Sequence, residues 1–174
     1  ATPAGYSLQA GGLSAGNQYY YRYYASNSYG DVWSSAQSFW TRTKMRIYYN
    51  GYDKTETLTN FPALVVFGTN IQGFSYASFQ STNGYDLRFY NYNETQVLDY
   101  EVELWDTNGL SYVWVEVPSL AANTNIWAMW GDPNWTTRQT YTTNGSTWNS
   151  KFTAVYHLAQ DAVNDSYPFP DSAN

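Results

Sequence analysis

Glu101, Glu103 and Asp106 are the residues whose types and spacing most directly suggest chemistry. In Asp99-Tyr100-Glu101-Val102-Glu103-Leu104-Trp105-Asp106 acids alternate with apolar residues, so a strand sends Glu101 and Glu103 to one face and Tyr100, Val102 and Leu104 to the other. Two neighbouring carboxylates can divide the work of glycoside hydrolysis, one as nucleophile or base and one as acid. Same-face neighbours on a strand lie about 6.5 to 7 Å apart, between the separations typical of retaining and inverting enzymes, so spacing selects neither. The simpler reading is a solvated strand face opposite a core, and no catalytic residue is assigned.

His157 is the only histidine, so any Ser-His-Asp triad would have to use it. Its neighbours Val155, Tyr156 and Leu158 instead place it in a strand over Phe152 to His157, as a structural histidine. Asp31, Asp86, Asp132 and Asp171 could each join a calcium site, but no Asp-rich loop of defined spacing unites them. Calcium stays unassigned, and no other cofactor is expected.

Aromatics are the feature that exceeds what a core requires. They make up 20% of the chain, with 19 Tyr and 8 Trp. In Tyr112-Val113-Trp114-Val115-Glu116-Val117 the valines claim a core face, leaving Tyr112, Trp114 and Glu116 outward. In Ile126-Trp127-Ala128-Met129-Trp130 at least one Trp must also face out. Trp135 and Trp148, with Tyr48, Tyr90, Tyr92 and Tyr141, add rings in turns and loops. Surfaces of this kind bind other protein copies or stack against sugars, so Tyr112, Trp114, Trp127, Trp135 and Trp148 are candidate contacts for carbohydrate or protein.

The elements that must position these residues are strands. Helical periodicity is nearly absent, and alternating runs bounded by Gly, Asn, Asp and Pro recur. Strands are predicted at Gly5–Leu8, Gln18–Ser26, Ser38–Thr43, Met45–Asn50, Ala63–Phe67, Leu87–Tyr90, Tyr100–Trp105, Tyr112–Val117, Ile126–Trp130 and Phe152–His157. Asn83-Gly84, Asn108-Gly109 and Asn144-Gly145 supply turn chemistry, and Asn108-Gly109 gives the best hairpin. A long polar loop is predicted from Asp132 to Ser150. The class is all-β, an antiparallel sandwich of jelly-roll type.

Composition narrows the function classes. Only 13% of the 174 residues are charged, the net charge is −6 and the pI is near 4.5. No cluster of Lys and Arg is evident, which argues against a nucleic-acid partner. Few charges among many Tyr, Asn, Thr, Ser and Gly are how extracellular β-proteins often look, and the absence of Cys excludes disulfides without excluding an oxidising compartment. No apolar run approaches a membrane span, so the expectation is an extracellular or cell-surface protein without a span. Sequons at Asn93, Asn134, Asn144 and Asn164 permit glycosylation, in a number near what this composition gives by chance.

The opening residues have a pattern of their own. Tyr6, Leu8, Gly12-Leu13, Gly16, Tyr19, Tyr21-Arg22, Ala25, Asn27, Gly30 and Ser38-Phe39-x-Thr41 resemble the last strands of a fibronectin type III domain, with Tyr19 as the corner tyrosine. That resemblance implies a partial immunoglobulin-like module over 1–43 whose Tyr19, Tyr21 and Tyr23 face needs cover. Residues 44–134 resemble the domain-of-unknown-function 2341 family of large bacterial surface and secreted proteins. The motifs are Gly84-x-Asp86-x-Arg88-Phe89, Leu98-x-Tyr100-Glu101-x-Glu103-x-Trp105, Trp114-Val115-x-Val117-Pro118 and Trp130-Gly131-Asp132-Pro133. The family implies a β-sandwich and no established activity. Within 135–174, Phe152-x-Ala154-Val155-Tyr156-His157-Leu158 and Asp171-Ser172-Ala173-Asn174 resemble the entry to a laminin-G or concanavalin-like domain.

Either the chain is a window on a longer protein, or neighbouring copies complete its ends. The expected function is a non-enzymatic subunit or repeat of a bacterial extracellular fibre or adhesin, assembling with copies of itself or adjacent modules. Alternatives are a carbohydrate-binding module that takes a polysaccharide, and a glycoside hydrolase using Glu101 and Glu103. The jelly-roll glycosidase pattern Glu-x-Asp-x-x-Glu is only echoed by Glu101-x-Glu103-x-x-Asp106, which departs at two of three positions.

Overall fold

A computed structural model describes residues 7–157 and 171–173. Its strands are β1 (Gln18–Tyr21), β2 (Tyr24–Asn27), β3 (Gly30–Trp33), β4 (Gln37–Trp40), β5 (Thr43–Tyr48), β6 (Leu58–Gly68), β7 (Arg88–Tyr90), β8 (Val97–Leu98), β9 (Tyr100–Leu104), β10 (Leu110–Leu120) and β11 (Asn125–Trp130). Every described pairing is antiparallel. No helix among the described residues is long and apolar enough to cross a membrane.

Residues 18–40 form one long hairpin. β1 pairs with β4 and β2 with β3, with a break at Arg22-Tyr23, so the predicted strand Gln18–Ser26 is two strands. Ser34 holds the break, its Oγ accepting from the Tyr23 N–H and its N–H donating to the Tyr23 carbonyl. Tyr19, Tyr21, Tyr23 and Phe39 gather on one face, where Tyr21 meets Tyr23 edge to face at 5.7 Å and Tyr19 stacks on Phe39 at 6.0 Å. Tyr21, Tyr23 and Phe39 are exposed. The Tyr19 hydroxyl accepts a hydrogen bond from the Ser14 N–H at 2.9 Å, five residues upstream, which is the kind of contact a corner tyrosine makes.

The sandwich proper follows. One sheet has the order β6-β10-β9 and the other β5-β11-β7-β8. β6 and β10 pair over nearly their whole length, and their alternation buries Ala63, Val65 and Phe67 against Val113, Val115 and Val117. Ile126, Ala128 and Trp130 supply the facing layer. Each such side chain contributes about 1.5–3 kcal/mol by leaving water, an upper figure for the smaller ones. Trp130 lies flat on Phe79, centroids 5.0 Å apart at 4°, and donates its indole N–H to Ser78 Oγ at 2.7 Å.

Several predicted elements change. Of the expected strand Gly5–Leu8, residues 5 and 6 lie outside the described residues, and Ser7 and Leu8 are not in a strand. Phe152–His157 is irregular. β3 and β8 were not anticipated: β3 is four residues opening on Gly30, and β8 has only two. The polar stretch 132–150 is more than a loop: it contains a 3-10 turn at Thr140–Thr142 and buries Thr142, Thr147 and Trp148.

Candidate functional site

β9 is the edge strand on which the two glutamates sit, and a bulge sets their direction. Val113 opposes Val102 and Tyr112 opposes Leu104, so Glu103 is an extra residue in the ladder. A bulge bends its strand and re-aims side chains. Tyr100 is buried as predicted, but Leu104 is 47% exposed. The expectation that Leu104 points to the core is therefore corrected: the extra residue reverses the alternation after Val102.

Glu101 is surrounded by donors from far along the chain. Its Oε2 accepts the Trp148 indole N–H at 2.6 Å, its Oε1 accepts the Ser172 hydroxyl at 2.6 Å, and His157 Nε2 lies 3.1 Å from Oε1. Glu103 Oε2 accepts the Trp114 indole N–H at 2.7 Å, and His157 Nδ1 stands 3.6 Å from the same oxygen. The side chains of Glu101 and His157 are only 14% and 15% exposed. Trp148 packs against Trp114, Phe152 and His157, with centroids 5.5 to 5.7 Å apart. Asp171 completes the arrangement by accepting from the N–H groups of Val155 and Ala173.

This geometry ties the segments 148–157 and 171–173 to β9 through Glu101. A carboxylate that attacks or protonates a substrate needs an oxygen turned to that substrate. Both Glu101 oxygens instead meet donors of the segments 148–157 and 171–173. Asp106 is also spent elsewhere: its Oδ1 accepts from the Asn108 N–H, which shapes the predicted hairpin turn before β10. Sequence reasoning found Glu101, Glu103 and His157 separately and missed their meeting, since nothing local signals a contact across 56 residues. Ser172 was missed as a partner altogether.

The other predicted contacts scatter. Tyr112 and Trp114 face outward, both half-buried, and Trp127 faces outward on the opposite sheet. Trp148 is 9% exposed, so its reading as a surface contact is corrected: its indole closes over Glu101. Trp135 is contacted by two guanidinium groups, Arg42 at 4.4 Å and Arg88 at 5.0 Å from its centroid. Asn93, Asn134 and Asn144 are exposed, and Asn164 lies outside the described residues. Gly12-Leu13-Ser14-Ala15-Gly16 has the spacing of a nucleophile elbow, which the reading of His157 as structural did not weigh. Ser14, however, lies in the loop before β1, where its N–H meets Tyr19 and its carbonyl accepts from Asn17.

The acids proposed for calcium are separate and mostly engaged. Asp86 is fully buried and accepts from the N–H groups of Gln80, Ser81 and Gly131 at 2.8 to 3.0 Å. Asp132 pairs with Arg42 at 2.8 Å. Gly131 has φ +88, and a Cβ there would stand 3.2 Å from the Ser78 carbonyl, so glycine is required. Gly84 has φ +69, and a Cβ would strike the Trp105 ring at 2.7 Å. The glycine and acid motifs thus converge on one knot that ties β7, β11 and the turn at residues 78–81 together.

Residues 83–155 match the model of a protein family described as Domain of unknown function (DUF2341). No curated protein and no solved structure matches the chain. The DUF2341 match begins and ends later than the residues 44–134 that carried the resemblance. It takes in Asp86, Gly131, Glu101, Glu103, Trp114 and Trp148, and stops before His157 and Ser172. The hairpin 18–40 lies outside it. DUF2341 brings no activity with its description, so function rests on the geometry.

Proposed function

We propose that this chain is a non-enzymatic structural module of an extracellular fibre or adhesin, in which the β-sandwich grips the segments on either side of it. The observation that carries the reading is Glu101: its two oxygens receive the indole of Trp148, the hydroxyl of Ser172 and the imidazole of His157. A carboxylate so occupied holds chain in place. At the other end Arg42, next to the hairpin, pairs with buried Asp132 and stacks on Trp135, while the Gly16 N–H donates to the Thr41 carbonyl.

The hairpin supplies the assembly face. β1 pairs only with β4 among the described strands, and a two-stranded ribbon alone is marginal in water. Its uncovered Tyr21, Tyr23 and Phe39 rings, beside half-buried Tyr19, suit cover by strands of a neighbouring copy or of an adjacent module, with main-chain hydrogen bonds along the free β1 edge. Repeated head to tail, such contacts build open filaments. Sedimentation velocity and electron microscopy of the purified chain test this reading: concentration-dependent association into linear particles is expected, weakened by Tyr21→Ser with Tyr23→Ser. A stable folded monomer throughout the micromolar range would overturn it.

A further inference from the structure

Three of the eight basic residues alternate along one strand: Arg42, Lys44 and Arg46, leading into and along β5. The expectation that Lys and Arg do not cluster is corrected by this row, since a period of two puts all three on one face. That face is the outer side of the four-stranded sheet. Arg46 lies opposite Trp127, and Trp127 opposite Tyr90, so a guanidinium, an indole and a phenol cross the sheet in one line.

The centre of the line is built rigidly. Trp127 donates its indole N–H to the Tyr92 carbonyl at 3.0 Å. Two cations then sit on that one ring, Lys44 Nζ at 4.1 Å and Arg46 Cζ at 4.2 Å from its centroid. Two like charges on one ring repel each other, and the ring attracts each by about 0.5–1 kcal/mol at an exposed site. Glu94 pairs with Lys44, but no carboxylate pairs with Arg46 among the described residues. On a chain of net charge −6 that leaves a held, exposed guanidinium in want of an anion. Around it Tyr48 and Tyr92 are 55% and 67% exposed.

We infer that this face binds an acidic polysaccharide, a polymer of carboxylated sugars. The Arg46 fork takes a carboxylate with two parallel N–H bonds, and Lys44 can exchange Glu94 for the next one. Tyr48 and Tyr92 offer ring faces to the C–H side of the sugars. Neutral glycans would leave the guanidinium unused, while nucleic acid carries far more phosphate than one short row can neutralise. The site lies on the sheet opposite the Glu101 anchor and uses none of the hairpin's residues, so it stands or falls independently of assembly.

Affinity electrophoresis of the whole chain through gels containing polygalacturonate, a neutral glucan or single-stranded DNA tests the inference. Retardation by polygalacturonate alone is expected, with at least tenfold weaker binding for Lys44→Gln/Arg46→Gln and several-fold weaker binding for Tyr48→Ala. Both cations are exposed, so circular dichroism of the double variant should match the wild type. No retardation of the wild type by polygalacturonate, equal retardation by DNA or neutral glucan, or undiminished binding of the folded double variant would each overturn it.

Discussion

Replacing Glu101 by Gln separates an anchor from a catalyst. The side chain keeps its size and one acceptor oxygen, but the charge goes, and an NH2 group is turned toward a neighbouring donor. Three groups now contact the carboxylate: Trp148 Nε1 and Ser172 Oγ, each at 2.6 Å, and His157 Nε2 at 3.1 Å. A hydrogen bond to a charged group contributes about 1.5–3 kcal/mol net. With the site 14% exposed and one acceptor retained, the loss falls on the docked segments at about 2 kcal/mol. At 1.4 kcal/mol per tenfold that is about a 30-fold shift toward the undocked state.

Hydrogen exchange reads this directly. The Ser172 N–H donates to the Val155 carbonyl and the Val155 N–H to Asp171, bonds between the two segments that Glu101 holds through Trp148, His157 and Ser172, so both amides lose protection when those segments come apart. Glu101→Gln should speed their exchange about 30-fold and leave β6 and β10 amides unchanged. Glu103→Gln, which disturbs one indole bond from Trp114, should do less. Equal acceleration across β10 would mean that Glu101 supports the whole sandwich. Unchanged exchange at residues 155 and 172, joined to lost hydrolysis of a polysaccharide that the wild type cleaves, would refute the anchor and restore the catalyst.

Two further substitutions test the frame around the site. Burial first, and the nearby Asp99 second, hold the Glu116 carboxyl above its ordinary 4.5, so the fold favours its protonated form. Its contribution is complete below the unfolded value and is lost as pH rises through the folded one. Glu116→Gln should therefore raise Tm at pH 7, with the gain closing as pH falls below 4.5, as followed by thermal melts across that range. Gly84→Ala adds a Cβ at φ +69, 2.7 Å from the Trp105 ring, at a cost of about 2–4 kcal/mol. Melting should fall by roughly 5–15 °C, and an unchanged Tm would show that the knot yields freely.

Much of the sandwich was legible because its alternation is strict. Val113, Val115 and Val117 declare a core face, and the partners of β10 follow from equally regular neighbours in β6. The direction of Leu104 was not legible, since a bulge leaves no mark in residue types: Glu101-Val102-Glu103-Leu104 reads as unbroken alternation. Trp127 and Trp130 could not be told apart by type either. Their odd spacing of three places them on opposite faces, and only the knot around Asp86 and Gly131 decides that Trp130 is the inner one.

The failure at Phe152–His157 has a different cause, and it explains why the anchor has the form it does. Its residues suit a strand, but a strand needs a ladder, and the segment lies across the outer face of β9 and β10. A sheet offers N–H and C=O groups at its edges and only side chains on its faces. Chain crossing a face must therefore be held by side-chain bonds, and carboxylates aimed by a strand make good acceptors for the indole, hydroxyl and imidazole arriving above. The DUF2341 match takes in the acceptors and part of the overlying segment: Glu101, Glu103, Trp114 and Trp148 fall inside it, His157 and Ser172 beyond. Acidic alternation on the outside of a sandwich can thus be the mark of a segment laid over it, as readily as of a solvated face or a pair of catalytic acids.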